Sequence, residues 1–122
     1  MTPNSAHVRI AALFAAFAVI LGAFGAHALN GVLVANGTLE VWKTASQYHL
    51  IHALALLVLG LVGGTEKLVT WSWRCLGLGT VIFSGSLYVL ALTNIKQLGA
   101  ITPIGGLLMI VGWLLVAARR WR

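Results

Sequence analysis

Four long apolar segments constrain the fold of this chain more than any other feature. They cover about residues 8–29, 42–63, 74–93 and 100–118, and each can cross a bilayer, which takes roughly 20 residues of helix. Only 8% of the residues are charged and 60% are hydrophobic, whereas an ordinary soluble domain is about a quarter charged. We therefore expect an all-α fold, an integral membrane four-helix bundle that forms a single transmembrane domain over residues 1–122.

The first segment also admits an interpretation as a cleaved signal peptide. Arg9 precedes an apolar run, and Ala26-His27-Ala28 matches the A-x-A cleavage pattern. The run from Ile10 to Ala26 exceeds the roughly 7–15 residues of a typical signal-peptide core. Its length favours a retained membrane helix.

Each apolar segment carries small or polar residues along one helical face. Spacings of three and four residues place them one above the other, and small residues let helix backbones approach closely in lipid. These stripes are Ala11, Ala15, Ala18, Gly22 and Gly25; Ala45, His49, His52, Leu56 and Gly63; Gly77, Thr80, Ser84, Tyr88 and Ala91; and Gly105, Met109 and Gly112. We expect the four faces to pack against one another.

The connections carry turn and interface signals. Two Asn-Gly pairs between residues 30 and 37 favour turns, and Thr38 is predicted to cap the second helix. Trp42, Trp71 and Trp73 are expected at headgroup level, where tryptophan is enriched.

Charge predicts the orientation. Six of the eight Lys and Arg residues would share one side of a four-helix bundle, namely Arg9, Lys67, Arg74, Arg119, Arg120 and Arg122. Lys43 and Lys96 would lie on the other side. Because basic residues are enriched in cytoplasmic connections, both chain ends are predicted to be cytoplasmic (N-in/C-in).

In this orientation the polar side chains of the segments gather in the outer half of the bundle. An unpartnered polar group in an apolar medium costs roughly 2–7 kcal/mol, so we expect them to hydrogen-bond across helices. The candidate cluster consists of His27, Gln47, His49, His52, Ser84, Tyr88 and Thr102. His27 would reach the interior only if the first helix broke near Gly25. Interhelical hydrogen bonds contribute only about 0.6–2 kcal/mol each in membranes, so the cluster does not require a function.

Four motifs in order also suggest a family. GAFGAHAL (22–29), WKTA with QY and HALAL (42–56), FSGSLY (83–88) and LGAITPIGG (98–106) resemble the YgdD-like family of small bacterial inner-membrane proteins. The resemblance spans nearly the whole chain. It implies a multi-pass protein of the bacterial cytoplasmic (inner) membrane, and it implies no activity, because that family has no established biochemical role.

The histidines raise the question of a ligand. His49 and His52, at i and i+3, could present two imidazoles to a metal or a haem, with His27 as a third ligand. The alternative is that they hydrogen-bond to neighbouring helices. Hydrogen bonding to neighbouring helices is favoured, because no carboxylate is placed to orient a ligand imidazole. The chain has no Asp, and its two Glu residues lie in connections. We expect no metal and no cofactor.

Other chemistry has less support. The serines, threonines and Cys75 have no acid and base set around them in the sequence, so no enzyme is predicted. The basic residues lie at segment ends rather than on a patch, which argues against nucleic acid.

The expected function is that of a non-enzymatic accessory or interaction module that acts through its outer-half polar cluster. Its predicted partners are membrane lipid, another membrane protein or a second copy of the chain as a homo-oligomer. The alternative is a binding protein that holds a small hydrophobic or redox ligand, such as a quinone or haem, near His49, His52, Ser84 and Tyr88.

Overall fold

The computed structural model describes residues 2–121, which form five α-helices and one 3₁₀ helix. The elements are α1 (Ser5–Ala26), α2 (Asn30–Asn36), α3 (Leu39–Val62), α4 (Lys67–Thr93), the 3₁₀ helix (Lys96–Ala100) and α5 (Thr102–Ala118). Four stretches are long and apolar enough to cross a membrane: α1, α3, α4, and the 3₁₀ helix together with α5. The predicted all-α fold with four membrane-spanning helices is confirmed.

The long helices pack in chain order rather than as a closed ring. α1 packs on α3, α3 on α4, and α4 on α5. Within residues 2–121, no Cα atom of α1 lies within 8 Å of a Cα atom of α4 or α5. Since α1 and α4 both lie against α3 without direct backbone packing, a groove opens between them.

The two ends of the bundle differ in charge. The basic end holds the starts of α1 and α4 and the ends of α3 and α5, and carries Arg9, Lys67, Arg74, Arg119 and Arg120. The opposite end, called the α2 end, holds α2, the start of α3 and the 3₁₀ helix, with Lys43 and Lys96. The N-in/C-in orientation rests on this charge difference and stays a prediction. Arg122, also assigned to the basic side, lies outside the described residues.

Two clusters of buried side chains form the core. The cluster near the basic end is aliphatic and consists of Ala11, Leu56, Leu59, Val69 and Leu76. The cluster near the α2 end contains two aromatic side chains and consists of Leu33, Trp42, Ala45, Tyr88 and Ala91. Most of the predicted packing faces are confirmed: on α3, for example, Ala45, His49, His52 and Leu56 are all buried.

α5 packs on α4 through glycine. A Cβ atom added to Gly79 would lie 2.8 Å from the carbonyl oxygen of Gly105, and one added to Gly112 would lie 2.7 Å from Cγ of Leu76. Gly105, Met109 and Gly112 are all buried. The predicted close-approach face of the last helix is therefore confirmed.

The connection after α1 contains a helix that the turn signals did not predict. α2 ends at Asn36 and is followed by Gly37, whose φ is 69°, a left-handed conformation that glycine adopts without steric cost. Thr38 precedes α3 but makes no capping bond. Its hydroxyl donates instead to the Ala91 carbonyl on α4 at 2.7 Å. Thr38 therefore takes the predicted N-cap position of α3, but its hydroxyl forms a contact between helices instead of the capping bond.

Trp42, which is expected at headgroup level, faces the interior of the bundle. Its side chain is buried, with 3% of its surface exposed. The indole lies where a Cβ atom on Gly25 would collide with it, and its Nε1 donates to the Leu21 carbonyl at 3.0 Å. Glycine on α1 thus makes room for a tryptophan that joins α3 to α1.

α4 begins at Lys67 rather than near Arg74, so Trp71 and Trp73 lie within its first two turns. Trp73 is half-buried, and its Nε1 donates to the Leu56 carbonyl at 3.1 Å. Trp71 keeps an exposed position. The connection between α3 and α4 is correspondingly short and consists of residues 63–66.

Candidate functional site

His49 and Tyr88 form the central contact of the candidate cluster. Both are buried, at 3% and 8% exposed, and Nδ1 of His49 lies 2.9 Å from the Tyr88 hydroxyl. His49 extends from α3 and Tyr88 from α4, so this bond joins the two central helices. The tautomer of His49 decides which group donates.

Ser84 supports the same interface one turn before Tyr88. Its hydroxyl donates to the Ala45 carbonyl on α3 at 2.8 Å. The Tyr88 hydroxyl also lies 3.5 Å from Oγ of Ser46. Together these bonds fix α4 against the first turns of α3 with side chains that point out of both helices.

His52 belongs to a different contact, although it lies one turn after His49. Its Nδ1 lies 2.8 Å from the Tyr48 carbonyl of its own helix. Its Nε2 accepts a hydrogen bond from Nε1 of Trp113 on α5 at 3.0 Å. Both ring nitrogens are therefore engaged, and His49 and His52 do not converge on one ligand position.

Thr102 joins the 3₁₀ helix and α5 to α4. Its hydroxyl lies 2.6 Å from the Ser86 hydroxyl, which also donates to the Phe83 carbonyl at 2.9 Å. Thr102 is thus hydrogen-bonded at the α2 end but apart from His49. The predicted residues form separate small contacts rather than one connected network.

Two predicted members lie on the surface. His27 follows the last residue of α1 and is exposed, and Gln47 is exposed on α3. The structure brings neither of them to His49 or Ser84. Both remain at the α2 end, so they contribute to its surface rather than to its interior.

At the α2 end, three residues outside the predicted cluster also bond to backbone carbonyls of other helices. Asn36 donates to the Ala91 carbonyl at 3.1 Å, and Thr38 and Trp42 bond as described above. Asn36 and Thr38 lie in a predicted connection, and Trp42 is expected at headgroup level, so these patterns do not place them in the cluster. The signal available was their bonding capacity beside an apolar segment, because buried donors require partners.

A cavity of about 240 Å³ lies between α1 and α4 beside His49. Phe14 and Phe17 line it from α1, and Ser84 and Tyr88 line it from α4. The Phe14 ring centroid is 4.3 Å from that of His49. Apart from the His49 ring and the three residues with hydroxyl groups, Thr80, Ser84 and Tyr88, its walls are apolar.

Nε2 of His49 is the one buried side-chain nitrogen or oxygen atom in residues 2–121 without a hydrogen-bond partner. The backbone of Phe14 lies near the imidazole, but no bond of ordinary geometry reaches Nε2. If Tyr88 donates to Nδ1, Nε2 carries the ring proton and is an unused donor. Buried polar atoms are rarely left unpaired, so this atom is the chemically distinctive point of the site.

Comparison with known proteins gives a family but no activity. Residues 21–106 match the family described as Protein of unknown function (DUF423). A UPF0382 membrane protein of Staphylococcus epidermidis is 51% identical over 110 residues, which cover 89% of each chain. The UPF0382 membrane protein YwdK of Bacillus subtilis is 44% identical over 113 residues, which cover 89% of this chain and 90% of the relative. No solved structure was found to match the chain.

Proposed function

The chain belongs to the DUF423 family of UPF0382 membrane proteins, whose function is unknown, and we propose that it is a non-enzymatic accessory or interaction module of the bacterial cytoplasmic membrane. The four spanning helices support the membrane assignment. The charge of the basic end supports an N-in/C-in orientation. The four motifs support a finer placement beside the YgdD-like proteins.

The observation that carries this proposal is the division of the polar cluster. His49, His52, Ser84 and Tyr88 are buried and bond to neighbouring helices, so they stabilise the bundle. His27 and Gln47, by contrast, are exposed at the α2 end. The buried members hold the helices in place, and the exposed surface beside them contacts lipid headgroups, another membrane protein or a second copy of this chain.

Site-specific photo-crosslinking in cells tests the interaction surface. A photoreactive phenylalanine derivative replaces Gln47, and the matched control replaces Leu107, an exposed residue of α5. We expect Gln47 to give an adduct that Leu107 does not, with a partner protein, a second copy or a lipid headgroup, and Leu107 to give adducts with lipid acyl chains only. Identical adducts at both positions would contradict an interaction surface at the α2 end.

The orientation has a separate test. A reporter that is fluorescent in the cytoplasm and one that is enzymatically active outside it are fused in turn to each chain end. The proposal expects both ends to give the cytoplasmic signal. An external signal at either end would overturn the orientation without affecting the packing of the helices.

Ligand binding is a second candidate function, and the unpartnered Nε2 of His49 supports it. In the tautomer in which Tyr88 donates to Nδ1, Nε2 of His49 is the donor left for an acceptor such as a quinone oxygen, if a quinone occupied the cavity lined by Phe14 and Tyr88. One imidazole faces this cavity and His52 does not, so a quinone fits better than a haem held by two histidines.

Absorption spectroscopy of the purified protein, followed by organic extraction, distinguishes the two candidates. Ligand binding predicts a quinone at about one molecule per chain that His49→Asn abolishes and His52→Asn retains. Protein without a chromophore, or equal loss in both variants, would contradict it and leave the accessory role as the function.

A further inference from the structure

The groove between α1 and α4 continues toward the basic end as a larger apolar cavity. This part holds about 470 Å³. Ile10 and Phe14 form one wall, Leu56 of α3 contributes to the floor, and Gly77 and Leu78 contribute to the other wall. From Trp71 to Val81 it follows α4 for about 15 Å, at 1.5 Å per residue. Its length and apolar lining suit an extended hydrocarbon chain.

The end of this cavity at the basic end is polar and aromatic. The guanidinium carbon of Arg74 lies 5.3 Å from the centroid of the Trp71 ring, within the range of a cation–π contact. The ring of His7 on α1 stacks on Trp73 with centroids 4.0 Å apart, so side chains of α1 and α4 meet there. Arg74 thus reaches back toward the start of α4, as arginine does when it extends from an apolar surface to the membrane interface.

Arg74 has no carboxylate partner among residues 2–121. The chain has only two acidic residues. Glu66 accepts hydrogen bonds from Arg119, at 2.7 Å for Nε, and Glu40 pairs with Lys43 at the α2 end. A cation at the mouth of an apolar groove is therefore available to an anion from outside the protein.

We propose that this groove is a binding site for one anionic phospholipid, with an acyl chain between α1 and α4 and the phosphate group on Arg74. Two complementary features carry the assignment, because the groove matches the apolar chain and the unpaired guanidinium matches the phosphate. Basic residues at a membrane surface attract anionic lipid, and arginine forms two parallel hydrogen bonds with phosphate. The site does not depend on the proposed interaction surface at the α2 end or on a ligand at His49.

Native mass spectrometry of the full chain tests this site. The protein is released from nanodiscs that contain phosphatidylglycerol and phosphatidylcholine in equal amounts, and the lipid retained on the protein is identified by mass. Arg74→Gln removes the phosphate partner, and Arg120→Gln removes one charge from the same end but away from the groove. Gly77→Leu fills the groove, because a Cβ atom there meets only Leu56, at ordinary contact distance (3.7 Å).

Gly106→Leu is the matched control for Gly77→Leu. A Cβ atom on Gly106 also has its nearest contact at 3.7 Å, with the Phe83 ring, but Gly106 does not line the groove. Val81→Trp narrows the groove at its other end, so the test remains decisive if Gly77→Leu fails to fold.

The site predicts one phosphatidylglycerol retained on the unmodified protein. Arg74→Gln should lower the selection for phosphatidylglycerol over phosphatidylcholine about fivefold, and Gly77→Leu or Val81→Trp should remove most bound lipid of both kinds. Arg120→Gln and Gly106→Leu should behave as the unmodified protein. An equal effect of Arg120→Gln and Arg74→Gln, retention by both groove-filling variants, or no selection by the unmodified protein would overturn the site.

Discussion

The cores at the two ends of the bundle are built from different side chains and hold the helices in different ways. Near the α2 end, Trp42 and Tyr88 are buried with ring centroids 4.7 Å apart, and each also hydrogen-bonds to another helix. Near the basic end, the buried cluster is aliphatic, and a groove separates α1 from α4 beside it.

This difference shows how a small membrane protein can obtain a specific structure at one end and an open surface at the other. Because lipid tails are as apolar as leucine, aliphatic contacts between helices stabilise the bundle only through close packing. Hydrogen bonds from side chains to carbonyls add direction and fix the register of the helices. The α2 end, where most of these bonds lie, closes. The basic end, where Trp73 forms one such bond to the Leu56 carbonyl beside an aliphatic cluster, leaves room for lipid.

The largest expected effect compares a tryptophan from each end. Trp42→Ala removes a fully buried indole and its bond to the Leu21 carbonyl, and should lower the free energy of unfolding by about 3–5 kcal/mol. Trp73→Ala removes a similar bond to Leu56 but a half-buried ring, so its cost should be clearly smaller. SDS titration followed by circular dichroism measures both. A larger loss for Trp73→Ala would reverse the comparison.

The next effect concerns the space that glycine leaves at the α2 end. Gly25→Val forces the Trp42 indole away from α1 and should cost about 1–3 kcal/mol, as overpacking does. Gly22→Val, one turn earlier on the same helix, meets no atom within 4 Å and should change stability by less than about 0.5 kcal/mol. Equal stability of the two variants in the same titration would show that Trp42 does not depend on Gly25.

A smaller effect separates a hydroxyl that joins helices from one that does not. Tyr88→Phe removes the contact with His49 and should cost about 0.6–2 kcal/mol. At the basic end, Ser72 is buried but bonds to Leu68 of its own helix, so Ser72→Ala should stay within about 0.5 kcal/mol. If Ser72→Ala were the more harmful variant, polar contacts would not be the distinguishing feature of the α2 end.

The smallest effect involves the surface ion pairs. Here we expect the larger loss of stability at the basic end rather than at the α2 end. At the basic end, two guanidinium nitrogens of Arg119 bond to Glu66, so Glu66→Gln should cost roughly 0.2–1 kcal/mol. Glu40 and Lys43 lie 3.4 Å apart with most of both side chains exposed, and Glu40→Gln should have no measurable effect. Thermal unfolding at low and high salt checks this, because only the loss at Glu66 should shrink with salt.

Much of the fold could be predicted because helical periodicity indicates which face of each helix is buried. The stripe Ala11, Ala18 and Gly25 is buried as expected, and the glycine face of α5 lies against α4. The polar cluster could be assigned to one end but not paired residue by residue. His49 and His52 share a face by spacing, yet their neighbours α4 and α5 depend on the packing order of the helices, which spacing does not encode.

The contacts that could not be predicted concentrate where local signals compete with tertiary contacts. Thr38 has the residue type of a helix cap, but the Ala91 carbonyl of a helix far along the chain takes its hydroxyl. Trp42 has the residue type of an interface anchor, but Gly25 provides a place inside the bundle. The contacts of both residues depend on which helix lies beside them, and a single sequence does not show this.

A double-mutant cycle on His49→Phe and Tyr88→Phe tests most directly whether the buried polar side chains join the central helices. Unfolding free energies of the unmodified protein, both single variants and the double variant give the coupling between the two side chains. The hydrogen bond at 2.9 Å predicts a favourable coupling of at least about 0.6 kcal/mol. Additive losses, within about 0.3 kcal/mol, would contradict the account.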